Sequence, residues 1–228
     1  GSIQSADVLI HAEGGLFQPD APSDQHSTQH DYQQTALISN VTLTKAKPAW
    51  AWERFTAHGP CALLPTSSDG VHFNLVWCMS RASADALLLL DDAKFLLKLN
   101  QAVRHLTGTV RTTTARNAFA LGLKCASELH SSIRVAIGNA AQTLHPVAGQ
   151  GFNLGLRDAF ILNQSLNTQP SVAQAIRYFT QQRHIDRSAT VRITDSLARG
   201  FVHDFGLTHL RSAGFAAINA LPFVKDKI

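Results

Sequence analysis

The chain has 228 residues, 45% hydrophobic and 16% charged, a composition of globular proteins rather than disordered ones. Its net charge of +4 comes from scattered Lys and Arg, with no basic run, zinc-finger spacing or aromatic RNA-reading motif, so no nucleic-acid partner is expected. No apolar run approaches the roughly 18 residues that span a bilayer.

Asp7–Gly15 (DVLIHAEGG) predicts a strand ending in a Glu-Gly-Gly turn, and Phe17–Asp31, rich in Pro, Ser, Asp and Gln, predicts a loop. From Thr35 to Met79 several β-branched or alternating runs follow. In the last of them, VHFNLVWCM, Val71, Phe73, Leu75 and Trp77 share one face. These runs predict an antiparallel sheet. Asp85–Leu106 has the period of a helix through Phe95, Leu96, Leu99, Val103 and Leu106, after which TVRTTTARNAFALGL and SIRVAIG return to strand character. Helices are expected from near Gly151 to Leu166, from Ser171 to near Phe201, and from Leu207 to Leu221. The fold class is therefore mixed α/β (α+β).

Cys61, Cys78 and Cys125 are odd in number, far apart and set in apolar stretches. They predict three buried thiols in a reducing compartment and, with no signal-like segment, a cytoplasmic location. The chain starts Gly1-Ser2 and Met79 is its sole methionine, a start that resembles the scar of tag removal. A fragment of a longer protein is expected.

Arg134–Phe160, RVAIGNAAQTLHPVAGQGFNLGLRDAF, holds most of the chemical signal. A short strand, small residues, Pro146, then Gly149 and Gly151 lead into a helix. A helix start offers unpaired N–H groups and a positive dipole end to an anion or electron-rich oxygen, and glycines there let a ligand approach the backbone. Two readings of the residues stand side by side. One is a glycine turn that packs a helix on a sheet; the other is a phosphate or cofactor loop. Arg157 and Asp158, one turn on, suit either a pair that orients the helix or ligand contact. His26 and His30, four apart between Asp24 and Asp31, sit in loop-like sequence without the glutamate of a zinc hydrolase, and no metal site is expected. Arg177, Arg183, Arg187, Arg192 and Arg199 punctuate the long helix. A solvated face explains them, and attraction to an anionic membrane surface is the sharper alternative.

Gly138–Ala159 closely resembles the second flavin-binding motif of the class A FAD-dependent aromatic hydroxylases, in the ubiquinone-biosynthesis branch of the octaprenyl-methoxyphenol hydroxylase type. WERFTAHGPCALLP, FNLVWC and YFTQQRHIDRSATVRITDSL resemble further segments of that branch in the same order. The resemblance implies a mixed antiparallel substrate-domain sheet joined to the C-terminal part of a Rossmann-like FAD-binding domain with long C-terminal helices. It implies division at 1–30, 31–125 and 126–228: end of an FAD-domain segment, substrate sheet, and C-terminal FAD-domain segment.

The same resemblance implies FAD as cofactor, NAD(P)H as reductant and a prenylated phenol or quinone precursor as substrate. A ubiquinone-biosynthesis complex and peripheral contact with the inner face of the membrane accompany it. Gly138 and Asn139 would approach the ribityl and pyrophosphate part, Pro146 the isoalloxazine, and Gly149, Gly151, Phe152 and Asn153 its pyrimidine edge. Glu13 and Gly14 match the family's Asp-Gly motif, which is implicated in FAD and NADPH contact. Several positions depart from the family. Asn139 replaces the usual aspartate and Gln142 the usual histidine; Glu13 replaces aspartate, and Phe17 a serine. No Gly-x-Gly-x-x-Gly unit for the ADP half occurs, so the fragment is expected to bind FAD weakly and to be inactive. No residue is singled out as catalytic. A non-catalytic lipid-quinone-binding or scaffold module of the same fold, or a hydroxylase of soluble aromatic acids, are the alternative functions.

Overall fold

A computed structural model of the chain describes residues 5–14, 27–45, 48–104, 108–126, 131 and 133–202. Nine strands and four α-helices lie in these residues: β1 (Leu9–His11), β2 (Ser27–Leu43), β3 (Trp52–Thr56), β4 (Gly59–Pro65), β5 (His72–Ser80), α1 (Arg81–Leu88), α2 (Asp92–Ala102), β6 (Val110–Thr113), β7 (Asn117–Ala126), β8 (Arg134–Ala136), β9 (Gln142–Thr143), α3 (Gln150–Thr168) and α4 (Val172–Val202). Seven strands form one antiparallel sheet in the order β3-β4-β5-β2-β7-β9, with β6 also on β2. β1 and β8 form a separate parallel pair, Leu9 opposite Arg134. The architecture is the mixed α/β one expected, with a mostly antiparallel sheet followed by long helices.

Period-two alternation decides what each sheet face does. Phe73, Leu75 and Trp77 of β5 share a face, as the sequence predicts, and are buried with Leu37, Val41, Cys61 and Leu63 under Phe95 and Leu99 of α2. Fully burying side chains of this size contributes roughly 1.5–3 kcal/mol each, so this layer is the main core. A second core joins α3 and α4 to the parallel pair through Val135, Leu162, Ile176 and Phe179.

The helix expected over Asp85–Leu106 is two helices, and the first begins earlier, at Arg81. The Ser80 hydroxyl accepts the Ser83 N–H (3.3 Å) at the start of α1, and the Asp91 carboxylate accepts the Lys94 N–H (2.8 Å) at the start of α2. Two good N-caps eleven residues apart outweigh one continuous apolar period. The expected loop over Phe17–Asp31 is also corrected at its end. Residues 27–31 open β2, where Ser27 pairs with Ala126 and Thr28 with Cys125, so ladder hydrogen bonds override polar composition. Within β2 the register with β7 shifts between Asp31 and Gln34, and Gln33 has φ 56°. The Asp31 carboxylate accepts the Gln33 N–H at 2.9 Å and stabilises this bulge. The helix expected over 207–221 lies outside the described residues.

Cys61 and Cys78 are buried, as expected, whereas Cys125 is only half-buried; all three are free thiols. Burial pushes the Cys61 and Cys78 thiols up to about 12, which keeps them protonated. Among the described residues no helix is long and apolar enough to cross a membrane.

Candidate functional site

The glycine-rich stretch forms one wall of a cleft of about 990 Å³ between the start of α3 and the sheet. β8 ends at Ala136, a single 3-10 turn covers Gly138–Ala140, β9 follows, and a second 3-10 turn, Val147–Gly149, leads into α3. Gly149 stands at the cap of α3 with φ 61°, and no side chain caps the helix there. A Cβ added to Gly149 or Gly151 would meet nothing within 4 Å. These two glycines therefore face open space, and the positive end of the α3 dipole opens onto the cleft without a side-chain cap.

Gly14, Gly138, Asn139, Pro146, Gly149, Gly151 and Phe152 all border this cleft. The segment after β1 reaches it through a close approach at Gly14: a Cβ there would stand 2.0 Å from the Asn139 Cβ. Gly138 and Gly155 meet similarly, with a Gly155 Cβ falling 3.2 Å from the Gly138 Cα. The structure thus brings together seven of nine expected positions. Glu13 is exposed and outside the cleft lining, as is Asn153, whose carbonyl accepts from Arg157 Nε (3.3 Å) within α3.

The opposite wall is sheet: Glu53 of β3, Ala62 and Leu64 of β4, and Val76 of β5. Alternation along β5 predicts its buried face but assigns no role to the reverse face, where Val76 lies. Alternation in VHFNLVWCM was the available signal. His145 was missed as well. It lines the cleft yet is only 1% exposed. Its Nδ1 accepts the Val147 N–H (3.1 Å), so the proton sits on Nε2, which donates to Gln34 Oε1 (2.8 Å). Gln34 is the buried residue that ends the β2 bulge, so this bond ties the sheet to the glycine loop. Burial lowers the His145 pKa to about 4, and the ring is neutral at physiological pH.

Beneath the loop lies a buried polar network. The Asp158 carboxylate, 2% exposed, accepts from Gly138 N–H (3.1 Å), Gln142 Nε2 (3.1 Å) and Arg183 Nε (2.7 Å). Arg183 also reaches Asp186, to which Arg157 donates at 2.7 Å. Arg157 and Asp158 are thus two arms of an α3–α4 clamp, each with a partner on α4. Burial disfavours the Arg183 charge, and its bonds to Asp158 and Asp186 outweigh that, holding its pKa above the usual value.

The solvated-face reading of the α4 arginines is corrected at two positions. Arg183 is buried, and Arg187, half-buried, donates to the Ala141 carbonyl at 2.9 Å; Arg177, Arg192 and Arg199 are exposed. Of the paired histidines, His26 lies outside the described residues and His30 stacks edge-on against Tyr32, ring centroids 5.0 Å apart.

An uncapped helix start, two glycines facing open space and a largely apolar opposite wall fit a flat ring system bearing electron-rich oxygens. A flavin ring has that chemistry. The FAD binding domain family matches residues 6–177 of the chain. Ubiquinone hydroxylase UbiL of Rhodospirillum rubrum is 31% identical over 228 residues, covering 97% of this chain and 53% of the relative. The mitochondrial ubiquinone biosynthesis monooxygenase COQ6 of Homo sapiens is 30% identical over 271 residues, covering 100% and 57%. The chain spans about half the length of the curated relatives it matches. Among solved structures, HpxO of Klebsiella pneumoniae complexed with FAD and uric acid aligns with a TM-score of 0.67 at 17% identity, over 97% of this chain and 58% of that one. PqsL of Pseudomonas aeruginosa in complex with 2-aminobenzoylacetate aligns at 0.67 and 18%, over 86% and 56%. These structural likenesses show a shared fold. With matched residues extending from β1 through α3 into α4, the chain belongs to the FAD binding domain family, and its sequence places it beside the ubiquinone-biosynthesis hydroxylases.

Proposed function

We propose that the chain carries the flavin-ring side of an FAD site and the substrate face of a monooxygenase that hydroxylates a prenylated phenol in ubiquinone biosynthesis, with NAD(P)H and O2. The observation that carries this reading is the uncapped, glycine-lined start of α3 opening onto a largely apolar sheet wall. The names of the relatives UbiL and COQ6 support the pathway. Bound flavin would supply the redox chemistry: it takes electrons from NAD(P)H and activates O2.

The chain's residues supply placement and charge stabilisation. The first-turn amides of α3 favour negative charge on an adjacent ring edge by about 0.3–2 kcal/mol. Gly149 and Gly151 let that edge approach the backbone, while Gly14 against Asn139 fixes the far side of the opening. Ala62, Leu64 and Val76 keep the opposite wall poor in hydrogen-bonding groups, which limits water beside a reacting aromatic ring. Phe152 and Leu156, 78% and 59% exposed, extend an apolar strip from the cleft along α3. A prenyl tail laid there would gain about 25 cal/mol per Å² of apolar surface covered. His145 does not act as a base in this scheme, because both ring nitrogens already serve Gln34 and Val147. It positions the loop.

The test is flavin content and product. The full-length gene product, purified without denaturant, should show flavin absorbance or take up added FAD. It should then convert a prenylated phenol, and not simple hydroxybenzoates, to an oxygenated product. Failure to take up FAD would sink the enzyme reading and leave a non-catalytic quinone-binding module. Conversion of hydroxybenzoates alone would move the substrate to soluble aromatic acids. This chain by itself is expected to bind FAD weakly, so stoichiometric tight binding would contradict the view that it holds only the ring side.

A further inference from the structure

β3 and β5 present alternate residues to two different cavities. Glu53 and Val76 face the cleft described above, whereas their neighbours Arg54 and Trp77 line a second cavity of about 490 Å³ on the other side of the sheet, against α1 and α2. Three cationic residues border it: Arg54 from β3, Lys98 from α2 and Arg104 just beyond α2. No Asp or Glu is among the described lining residues, and none of the three cations joins an ion pair among the described residues. The Arg54 guanidinium donates to the Arg104 carbonyl, which anchors it at this rim. Like charges brought to one concave surface without a carboxylate repel each other and focus a positive field.

A second, independent observation comes from the wall itself. Trp77 is 2% exposed, and its indole Nε1 is buried with no hydrogen-bond partner among the described atoms. An orphaned buried donor is costly, and native proteins rarely leave one without a reason. Ala86 and Leu87 add accessible apolar surface beside it.

From these features we infer that the second cavity is a binding site for a small amphipathic anion. A phosphate or carboxylate head sits among Arg54, Lys98 and Arg104, and an apolar body lies over Ala86 and Leu87. The head neutralises charges that have no carboxylate partner among the described residues, and an acceptor on the ligand can satisfy the indole. The sheet separates this ligand from anything in the flavin-side cleft, so the inference stands whether or not that cleft holds FAD.

The experiment is a titration of the chain with its tryptophan indoles isotope-labelled, followed by NMR. Trp77→Phe identifies the Trp77 signal; should that variant not fold, Trp50→Phe and Trp52→Phe identify it by elimination. Dodecyl phosphate below its micelle concentration should shift the Trp77 indole saturably. The double variant Lys98→Glu/Arg104→Glu should weaken this binding by about tenfold or more without moving the urea midpoint. Inorganic phosphate and phosphatidic acid vesicles distinguish the source. Competition by phosphate points to a soluble phosphorylated ligand, and vesicle binding lost in the double variant points to a lipid head. An equal response to the uncharged dodecyl maltoside, an affinity unchanged in the double variant, or an unmoved Trp77 signal would each overturn the inference.

Discussion

Replacing Gly151 by alanine separates a glycine required by the fold from one required by a ligand. Gly151 is the second residue of α3, lacks a positive φ, and would place a Cβ where nothing lies within 4 Å. The fold alone therefore gives no reason to prefer glycine. Alanine in a helix interior is favoured over glycine by about 0.5–1 kcal/mol, and the lower figure suits a first-turn position. Gly151→Ala should raise the stability of the chain by about 0.5 kcal/mol, read from urea unfolding followed by far-UV circular dichroism. The same substitution in the full-length gene product should weaken FAD binding by about tenfold or more, because the methyl group occupies the space a ring edge needs. Gly149→Ala provides the contrast. Its Cβ also meets open space, but φ 61° makes it cost about 1 kcal/mol while impairing FAD in the same direction. A Gly151→Ala chain destabilised by more than about 1 kcal/mol would show that the glycine serves packing. Unchanged FAD affinity would remove the glycine loop from the cofactor site.

Arg183→Met strands the Asp158 carboxylate in a buried site and should cost about 3 kcal/mol in urea unfolding, whereas Arg183→Met/Asp158→Asn should recover at least half of that loss. Equal losses in the two variants would mean that shape, rather than charge, is what Arg183 supplies. His145 has its pKa lowered to about 4 in the folded chain, so between pH 6.5 and 4 the unfolded chain binds the extra proton and stability falls as pH falls. The full interval is worth about 3 kcal/mol; urea midpoints measured at pH 7.5 and 5 should diverge less in His145→Gln than in the parent chain. Tyr32→Phe removes the hydroxyl that donates to Asp195 at 2.8 Å and should cost about 1–2 kcal/mol; calorimetric unfolding within error of the parent would show the bond contributes nothing net.

Local pattern made the ends of the glycine stretch readable. The strand expected at Arg134–Ile137 is β8, and the helix expected near Gly151–Leu166 is α3, because β-branched residues and a 3.6-residue period act within a few neighbours. Long-range partners were not readable in the same way. Ser27–Asp31 is as polar as a loop and becomes strand only because β7, far along the chain, offers a ladder from Gly122 to Ala126. Arg183 has the sequence surroundings of a surface arginine, and only the packing of α3 on α4 buries it beside Asp158. The sheet wall of the cleft escaped notice for a related reason: Ala62, Leu64 and Val76 carry no chemistry of their own, and their placement depends on strand order.

Positions 139 and 142 depart from the resembled motif in different physical settings. Asn139 lines the cleft and abuts Gly14, so its lost negative charge changes the field felt by a bound ligand. Gln142 is 3% exposed and outside the cleft lining; its Nε2 donates to Asp158, and its Oε1 is buried without a partner among the described residues. A histidine there would also offer a nitrogen donor to Asp158, and without the orphaned oxygen. The change at 142 therefore acts on the clamp that holds Gly138, through the hydrogen bonds Gln142 and Gly138 share with one carboxylate oxygen. A ligand in the cleft would sense residue 139 directly and residue 142 only through the position of the Gly138 turn.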